Sequence, residues 1–273
     1  MRQPENEEVP DHMEHVVTLT MNPSIDISSG VGHVVPDRKL RCGSSLRGPG
    51  GGGINVSRAI GVLGGKSYAL YPAGGMFGEI LDGFMEREDI AHCSIFTEGS
   101  TRENITILEE STGRQFRFGM TGPTLREEEW RQCLKVLSFL SPKPAYIVAS
   151  GSLPPGVPED FYARVADVSS QLGARLIVDT SGEPLRFALQ AGAYLLKPNM
   201  REMKDLVGHD IGNEFELEDG ARELIGKGGT EAIVVSLGAA AVMSPGTGLC
   251  CRGDTERLFR QVVIREHASL KGE

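Results

Sequence analysis

Tyr146-Ile147-Val148-Ala149 is apolar throughout and runs directly into Ser150-Gly151-Ser152-Leu153-Pro154-Pro155-Gly156. Further on, Leu176-Ile177-Val178 is apolar again. A strand with no polar alternation is covered on both faces. Between the two runs, Phe161, Val165, Val168 and Leu172 recur at helical spacing and mark one face of a crossover helix. Strand, helix, strand in that order requires a parallel pair, because parallel neighbours cannot be joined by a tight turn. The same rhythm extends outward. Upstream lie Val16-Val17-Thr18-Leu19, then Tyr68-Ala69-Leu70-Tyr71, then a helix over 79–88 with Ile80, Leu81, Phe84 and Met85 on one face. Thr124 and Glu127 form a capping box ahead of a helix burying Trp130, Cys133, Leu134 and Leu137. Downstream lie Tyr194-Leu195-Leu196, a helix over 218–225, and Ala232-Ile233-Val234-Val235. The class expected is α/β, a doubly wound and mainly parallel sheet flanked by helices.

Two stretches break the rhythm. Residues 31–48 are polar and punctuated by glycine, and Ile105 to Phe118 alternates around the turn signal Ser111-Thr112-Gly113. Antiparallel strands from about 31–48 and 103–119 are expected to form a small β lid. Residues 1–14 carry five acids against one Arg and read as a solvated, disordered tail; residues 15–249 read as the domain.

Composition narrows the function. In 273 residues there are 37 acids against 28 Lys and Arg, a net charge of -9 that opposes phosphate-backbone binding and so excludes a nucleic-acid partner. No apolar run is long enough to cross a bilayer, and the first residues lack a signal-peptide core, so a cytoplasmic protein without a membrane partner is expected. Five scattered Cys, without a CxxC pair, read as reduced thiols. The six His show no metal-ligand spacing.

Glycine is the outlier, with 35 residues. Gly50-Gly51-Gly52-Gly53 precedes a helix expected over 56–63. Four glycines in a row cost backbone entropy that a plain turn rarely spends. They let a ligand approach the backbone at a helix N-terminus, where free N–H groups favour an anion; a flexible loop is the plainer alternative. Ser150 to Gly156 follows a strand at its carboxyl end, where open parallel sheets bind ligands. Lys197-Pro198-Asn199 also follows a strand, and Asn199 with Glu202 shares a helix face suited to hydrated Mg²⁺ or, more simply, to a solvated first turn. Ser236-Leu237-Gly238 closes the last clear strand and reads as a nucleotide contact or a tight turn.

In their order and spacing these motifs resemble the PfkB sugar-kinase family, whose fold is ribokinase-like. The resemblance runs from Thr20-Met21-Asn22-Pro23-Ser24-Ile25-Asp26 through Lys39-Leu40-Arg41-Cys42, the glycines with Asn55, and Thr101-Arg102-Glu103-Asn104. It continues through Ser150 to Gly156, Val178-Asp179, Lys197 to Glu202 and Ser236 to Gly238. Within the family the chain is most similar to the minor bacterial 6-phosphofructokinases and the tagatose-6-phosphate kinases. Fructose-1-phosphate kinases carry a Lys in the glycine loop where this chain has Gly52.

The resemblance implies ATP- and Mg²⁺-dependent phosphorylation of a ketohexose phosphate, with fructose 6-phosphate the first choice, in a glycolytic step. It implies sugar contacts from Asp26, Gly50, Gly51, Gly52, Asn55 and Ser152, and phosphate contacts from Lys39, Arg41 and Arg102. ATP would meet Lys197, Asn199, Ser236, Leu237 and Gly238, and Glu202 the metal. The lid could pair two subunits into a homodimer.

The family's Gly-Ala-Gly-Asp helix start, whose Asp is the general base, has no counterpart in these 273 residues. Asp254 follows a glycine, but it comes too soon after Gly238 and is only a remote candidate. From residue 250 to 273 the chain leaves the family's pattern, with a short helix expected over 256–267. This is the signature expected of a C-terminally truncated or frame-shifted product. A non-catalytic remnant that binds sugar phosphate is therefore the alternative to an active kinase.

Overall fold

A computed structural model describes residues 15–237, 240–245 and 251–254. The chain runs β1 (Val16–Leu19), β2 (Ser24–Val31), β3 (Leu46–Gly50), α1 (Gly52–Val62), β4 (Ser67–Ala73), α2 (Gly75–Arg87) and β5 (Ala91–Phe96). Then come β6 (Arg102–Glu109), β7 (Arg114–Gly119), α3 (Glu127–Ser138), β8 (Tyr146–Ser150), α4 (Phe161–Leu172) and β9 (Arg175–Asp179). The last elements are α5 (Glu183–Gln190), β10 (Ala193–Leu196), α6 (Met200–Val207), α7 (Glu214–Gly226), β11 (Thr230–Leu237), β12 (Ala240–Pro245) and β13 (Cys251–Asp254).

The main sheet has nine strands in the order β13-β12-β11-β10-β9-β8-β1-β4-β5. Every pairing from β11 across to β5 is parallel; β12 and β13 add antiparallel strands at one edge. The apolar runs are the buried strands, as expected. From β1 the chain first builds outward through β4 and β5 and later through β8, β9, β10 and β11. The strand order therefore reverses beside β1, and a crevice opens at the carboxyl ends there. One core packs Leu19, Leu70, Ile147, Phe161, Tyr162 and Val165 with α3 and α4. A second packs Ile54, Ala69, Tyr71, Leu81 and Met85 with α1 and α2.

The second sheet has four strands in the order β3-β2-β6-β7. The hairpin read over 105–118 is β6 and β7, turning at Gly113 with φ 69. The lid differs from expectation in two ways. Residues 32–45 form no strand; β2 begins earlier, at Ser24, and β3 carries the return. Its central pairing, β2 with β6, is parallel, because both strands leave the main sheet in the same direction.

Helix starts moved as well. α1 begins at Gly52 and α2 at Gly75, each ahead of the expected start, because glycine's poor propensity hides a first turn. α3 is capped at Arg126 with Glu129 rather than at Thr124 with Glu127. The Leu125 N–H donates to the Pro155 carbonyl at 2.8 Å, which keeps that stretch extended. The Glu129 carboxylate then accepts from the N–H groups of both Arg126 (2.7 Å) and Glu98 (2.8 Å).

Cys42, Cys93 and Cys133 are free thiols, and burial pushes Cys133 up to about 12, so it stays protonated. Among the described residues no helix is long and apolar enough to cross a membrane. Cys250 and the stretch expected to be helical, 256–267, lie outside the described residues.

Leu19 is fully buried where β1 meets both neighbours. Leu19→Ala is expected to cost about 2–5 kcal/mol in urea denaturation; a loss below about 1 kcal/mol would contradict this packing.

Candidate functional site

The glycine segment is built against the ends of β1 and β8. Thr20 Oγ1 accepts the Ile54 N–H at 2.9 Å and so ties the start of α1 to the exit of β1. A Cβ on Gly53 would stand 2.6 Å from Thr20 Oγ1 and 2.8 Å from the Leu19 carbonyl oxygen. On Gly52 it would stand 2.2 Å from Ser150 Oγ, and on Gly50 2.2 Å from Asp26 Oδ1. Gly51 has φ 121, a backbone only glycine holds without strain. Gly51, Gly52 and Gly53 are thus demanded by the chain itself, and a Cβ on Gly50 would displace the Asp26 carboxylate, a reason for the run that the sequence reading placed in a ligand. Asn55 lies in the first turn of α1 and is exposed.

Beside that segment the lid presents a polar face. Ser24 and Asp26 alternate on β2, Arg102 and Asn104 on β6, and the parallel register sets Ser24 opposite Arg102 and Asp26 opposite Asn104. Ser24 Oγ donates to Asp26 Oδ1 at 2.7 Å, and Asn104 Nδ2 donates to Ser24 Oγ at 2.9 Å and to Asp26 Oδ1 at 3.2 Å. Asn104 was missed as a site residue, although its two-residue spacing from Arg102 put both on one face.

Arg102 spends Nη1 on the Met120 carbonyl (2.8 Å) and Nη2 on the Asn22 carbonyl (3.0 Å). Its Nε is buried without a partner. Burial pulls the guanidinium below the ordinary arginine range, and the nearby Asp26 carboxylate opposes that shift. A half-buried cation whose hydrogen bonds go only to neutral carbonyls, with one carboxylate nearby, is chemically suited to take an anion. Arg102 and Ser152 border a cavity of about 560 Å³, with Asn22, Gly122 and Thr180 also in its wall. Lys39 and Arg41 are exposed in the 32–45 stretch, and no hydrogen bond or ion pair joins either to Arg102 or Asp26.

A second group lies along β8 to β11. Ser150 Oγ donates to Asp179 Oδ2 at 3.3 Å, and Lys197 Nζ sits 3.1 Å from Asp179 Oδ1. Ser236 N donates to the Pro198 carbonyl at 3.0 Å, and Asn199 bridges to Ser236, so two motifs distant in sequence meet. Asn199 and Glu202 form a reciprocal cap of α6: Glu202 N donates to Asn199 Oδ1 (3.0 Å) and Asn199 N to Glu202 Oε2 (2.8 Å). Leu237 ends β11; Gly238 lies outside the described residues. Asp254 ends β13, opposite Ala240. No cluster of three or more His, Cys, Asp or Glu fit to hold a metal occurs among the described residues.

This arrangement, a mainly parallel α/β sheet with a β lid over a glycine-led helix, is also what comparison with known proteins returns. Residues 15–246 match the pfkB family carbohydrate kinases. The chain belongs to that family. It is 44% identical over 228 residues to the ATP-dependent 6-phosphofructokinase isozyme 2 of Mycobacterium tuberculosis, covering 84% of this chain and 67% of the relative. It is 30% identical over 228 residues to the 1-phosphofructokinase of Bacillus subtilis, covering 84% and 74%. The crystal structure of phosphofructokinase-2 from Escherichia coli in complex with fructose-6-phosphate superposes with TM-score 0.85 at 36% identity, over 89% of this chain and 80% of that one. The pfkB assignment makes the chain a kinase by lineage, with a ribokinase-like fold.

The glycine segment gives a direct test. Gly53→Ala is expected to cost about 1–3 kcal/mol, because backbone must move to admit the methyl. Gly48→Ala, with nothing within 4 Å, is expected to stay within about 0.5 kcal/mol of wild type. Equal denaturation curves for the two variants would contradict the packing described.

Proposed function

We propose that this chain binds a ketohexose phosphate, fructose 6-phosphate before tagatose 6-phosphate, in the cleft between the lid and the β1–β8 edge. The observation that carries the proposal is Arg102: a half-buried guanidinium with an unmatched Nε, one register step from the Asp26–Ser24–Asn104 cluster. A cation for the phosphate beside a carboxylate and an amide for hydroxyls is the donor set such a substrate needs. Gly50, Gly51, Gly52, Asn55 and Ser152 are proposed as further sugar contacts, with Lys39 and Arg41 reaching the phosphate from the 32–45 stretch. Gly52 also favours a 6-phosphate substrate over fructose 1-phosphate. The resemblance puts a lysine at that place in fructose-1-phosphate kinases, and the 44% identity to a 6-phosphofructokinase against 30% to a 1-phosphofructokinase runs the same way.

The phosphoryl donor proposed is ATP, bound along Lys197, Asn199, Ser236, Leu237 and Gly238. Mg²⁺ keeps most of its waters and leans on substrate phosphates, so a single carboxylate, Glu202, suits it without a protein cage. When bound, the ion would neutralise phosphate charge. The reaction proposed is transfer of the terminal phosphoryl group to the sugar hydroxyl, giving fructose 1,6-bisphosphate in a cytoplasmic setting where the thiols stay reduced. The lid's other face aligns Ile105 with Phe118 and Ile107 with Phe116, and Phe118 is 51% exposed. That apolar face is proposed to join two subunits in a homodimer.

A second reading rests on one specific observation: no Gly-Ala-Gly-Asp occurs in these 273 residues. On that reading the chain binds sugar phosphate with little or no turnover, since a general base alone contributes about 10²–10⁴-fold in rate.

One measurement tests the sugar-phosphate site that both readings share, and a second separates the readings. In titrations, Arg102→Ala is expected to weaken fructose 6-phosphate binding by roughly 1.5–3 kcal/mol while leaving unphosphorylated fructose unaffected; equal affinities in wild type and variant would contradict phosphate recognition by Arg102. In an ADP-release assay with saturating Mg-ATP and a confirmed folded sample, the binding-only reading expects turnover far below about 10 s⁻¹ for fructose 6-phosphate, tagatose 6-phosphate and fructose 1-phosphate. Turnover near that figure would overturn the binding-only reading, and Asp254→Asn would then test the remaining candidate base.

A further inference from the structure

Asn22 belongs to no role assigned above, yet it is a buried polar residue at the cleft. It is 7% exposed and lies in the turn that carries the chain from β1 into β2. Its Nδ2 donates to Ser152 Oγ at 3.2 Å, and its backbone carbonyl accepts from Arg102 Nη2 at 3.0 Å. Its side-chain Oδ1 is buried with no partner. A buried acceptor left unmatched is costly, and a folded chain seldom keeps one without a use.

Among the described residues, the other buried side-chain N or O atom without a partner is Arg102 Nε. Both residues border the same cavity. One orphan is an acceptor and the other a cationic donor. A single ligand answers both only if it carries a hydroxyl to donate and an anionic oxygen to accept. A hydroxyl-bearing phosphate ester has that pair of groups on separate parts of one molecule; inorganic phosphate has a P–OH of its own but no sugar hydroxyls, so with it the Asn22 contact would draw on the same small ion that Arg102 holds.

Gly122 covers the orphan oxygen: a Cβ there would lie 2.1 Å from Asn22 Oδ1. It belongs to the stretch after β7, residues 120–126, which has no regular secondary structure and forms one wall of the cavity. The same stretch supplies the Met120 carbonyl to Arg102 Nη1. The segment that holds Arg102 through Met120 is thus the one that covers Asn22 Oδ1, so a ligand that replaces it there would meet both orphan atoms.

We infer that Asn22 is a further substrate-binding residue, its amide taking a sugar hydroxyl while Arg102 holds the phosphate of the same molecule. The inference rests on the sugar-phosphate reading above and adds to it the residue that tells a sugar phosphate from phosphate alone.

The test is calorimetric titration of the full chain with fructose 6-phosphate and, separately, inorganic phosphate, for wild type, Asn22→Ala and Asn22→Ser. Melting of each unliganded protein is followed in parallel. The expected result is fructose 6-phosphate binding about tenfold weaker in Asn22→Ala, with Asn22→Ser between it and wild type and inorganic phosphate unchanged within twofold. Unchanged fructose 6-phosphate affinity, or equal weakening of both ligands, overturns the inference and leaves the sugar-phosphate reading standing. Loss of the folded state in both variants also overturns it, marking Asn22 as structural. A wild type that binds neither ligand overturns the underlying reading, and the inference falls with it.

Discussion

The structure depends on the absence of side chains between residues 50 and 53 and the strand ends beneath them. Thr20 and Leu19 at the exit of β1, Ser150 at the exit of β8 and Asp26 on β2 leave no space for a Cβ on Gly53, Gly52 or Gly50. Backbone therefore packs on backbone, α1 starts against the strand ends, and the Ile54 N–H finds Thr20 Oγ1. The lid and the main sheet meet at this seam. A side chain inserted there would push the glycine segment away from Thr20 and Ser150 and so disturb the seam.

Around that seam the electrostatics are arranged for a ligand that is itself charged. Arg102 is half withdrawn from water, and burial lowers its guanidinium pKa more than Asp26 restores it. Its η nitrogens rest on carbonyls, which offer dipoles but no charge. Lys197, by contrast, already has the Asp179 carboxylate at 3.1 Å. The two cations differ in what they lack: Arg102 wants an anion, while Lys197 must share or exchange one.

Much of the architecture was legible in the sequence because parallel strands covered on both faces read as nearly continuous apolar runs. The strands β1, β4, β8, β9, β10 and β11 announced themselves in that way, and the β6–β7 hairpin by its turn. Several features were not legible. β2 reads Ser-Ile-Asp-Ile-Ser-Ser-Gly-Val, half polar because one face serves the cleft, and β3 reads Leu-Arg-Gly-Pro-Gly, with a proline and two glycines in five residues, a composition few strands use. The cap of α3 slid from Thr124 to Arg126 through a tertiary hydrogen bond from Leu125 to Pro155 that no local pattern encodes. At the site, the motifs marked Asp26, Arg102, Ser152, Lys197 and Asn199. They did not reveal that the glycines answer to the protein's own atoms, that Asn104 completes the Asp26 cluster, or that Glu202 caps α6.

The central claim is that one cleft, bounded by Asp26 and Arg102, takes the sugar and its phosphate together. The most direct measurement is a crystal structure of this chain soaked with fructose 6-phosphate. The account predicts phosphate oxygens within hydrogen-bond distance of Arg102 Nε and sugar hydroxyls on the Asp26 carboxylate. Ligand density away from both residues would contradict it.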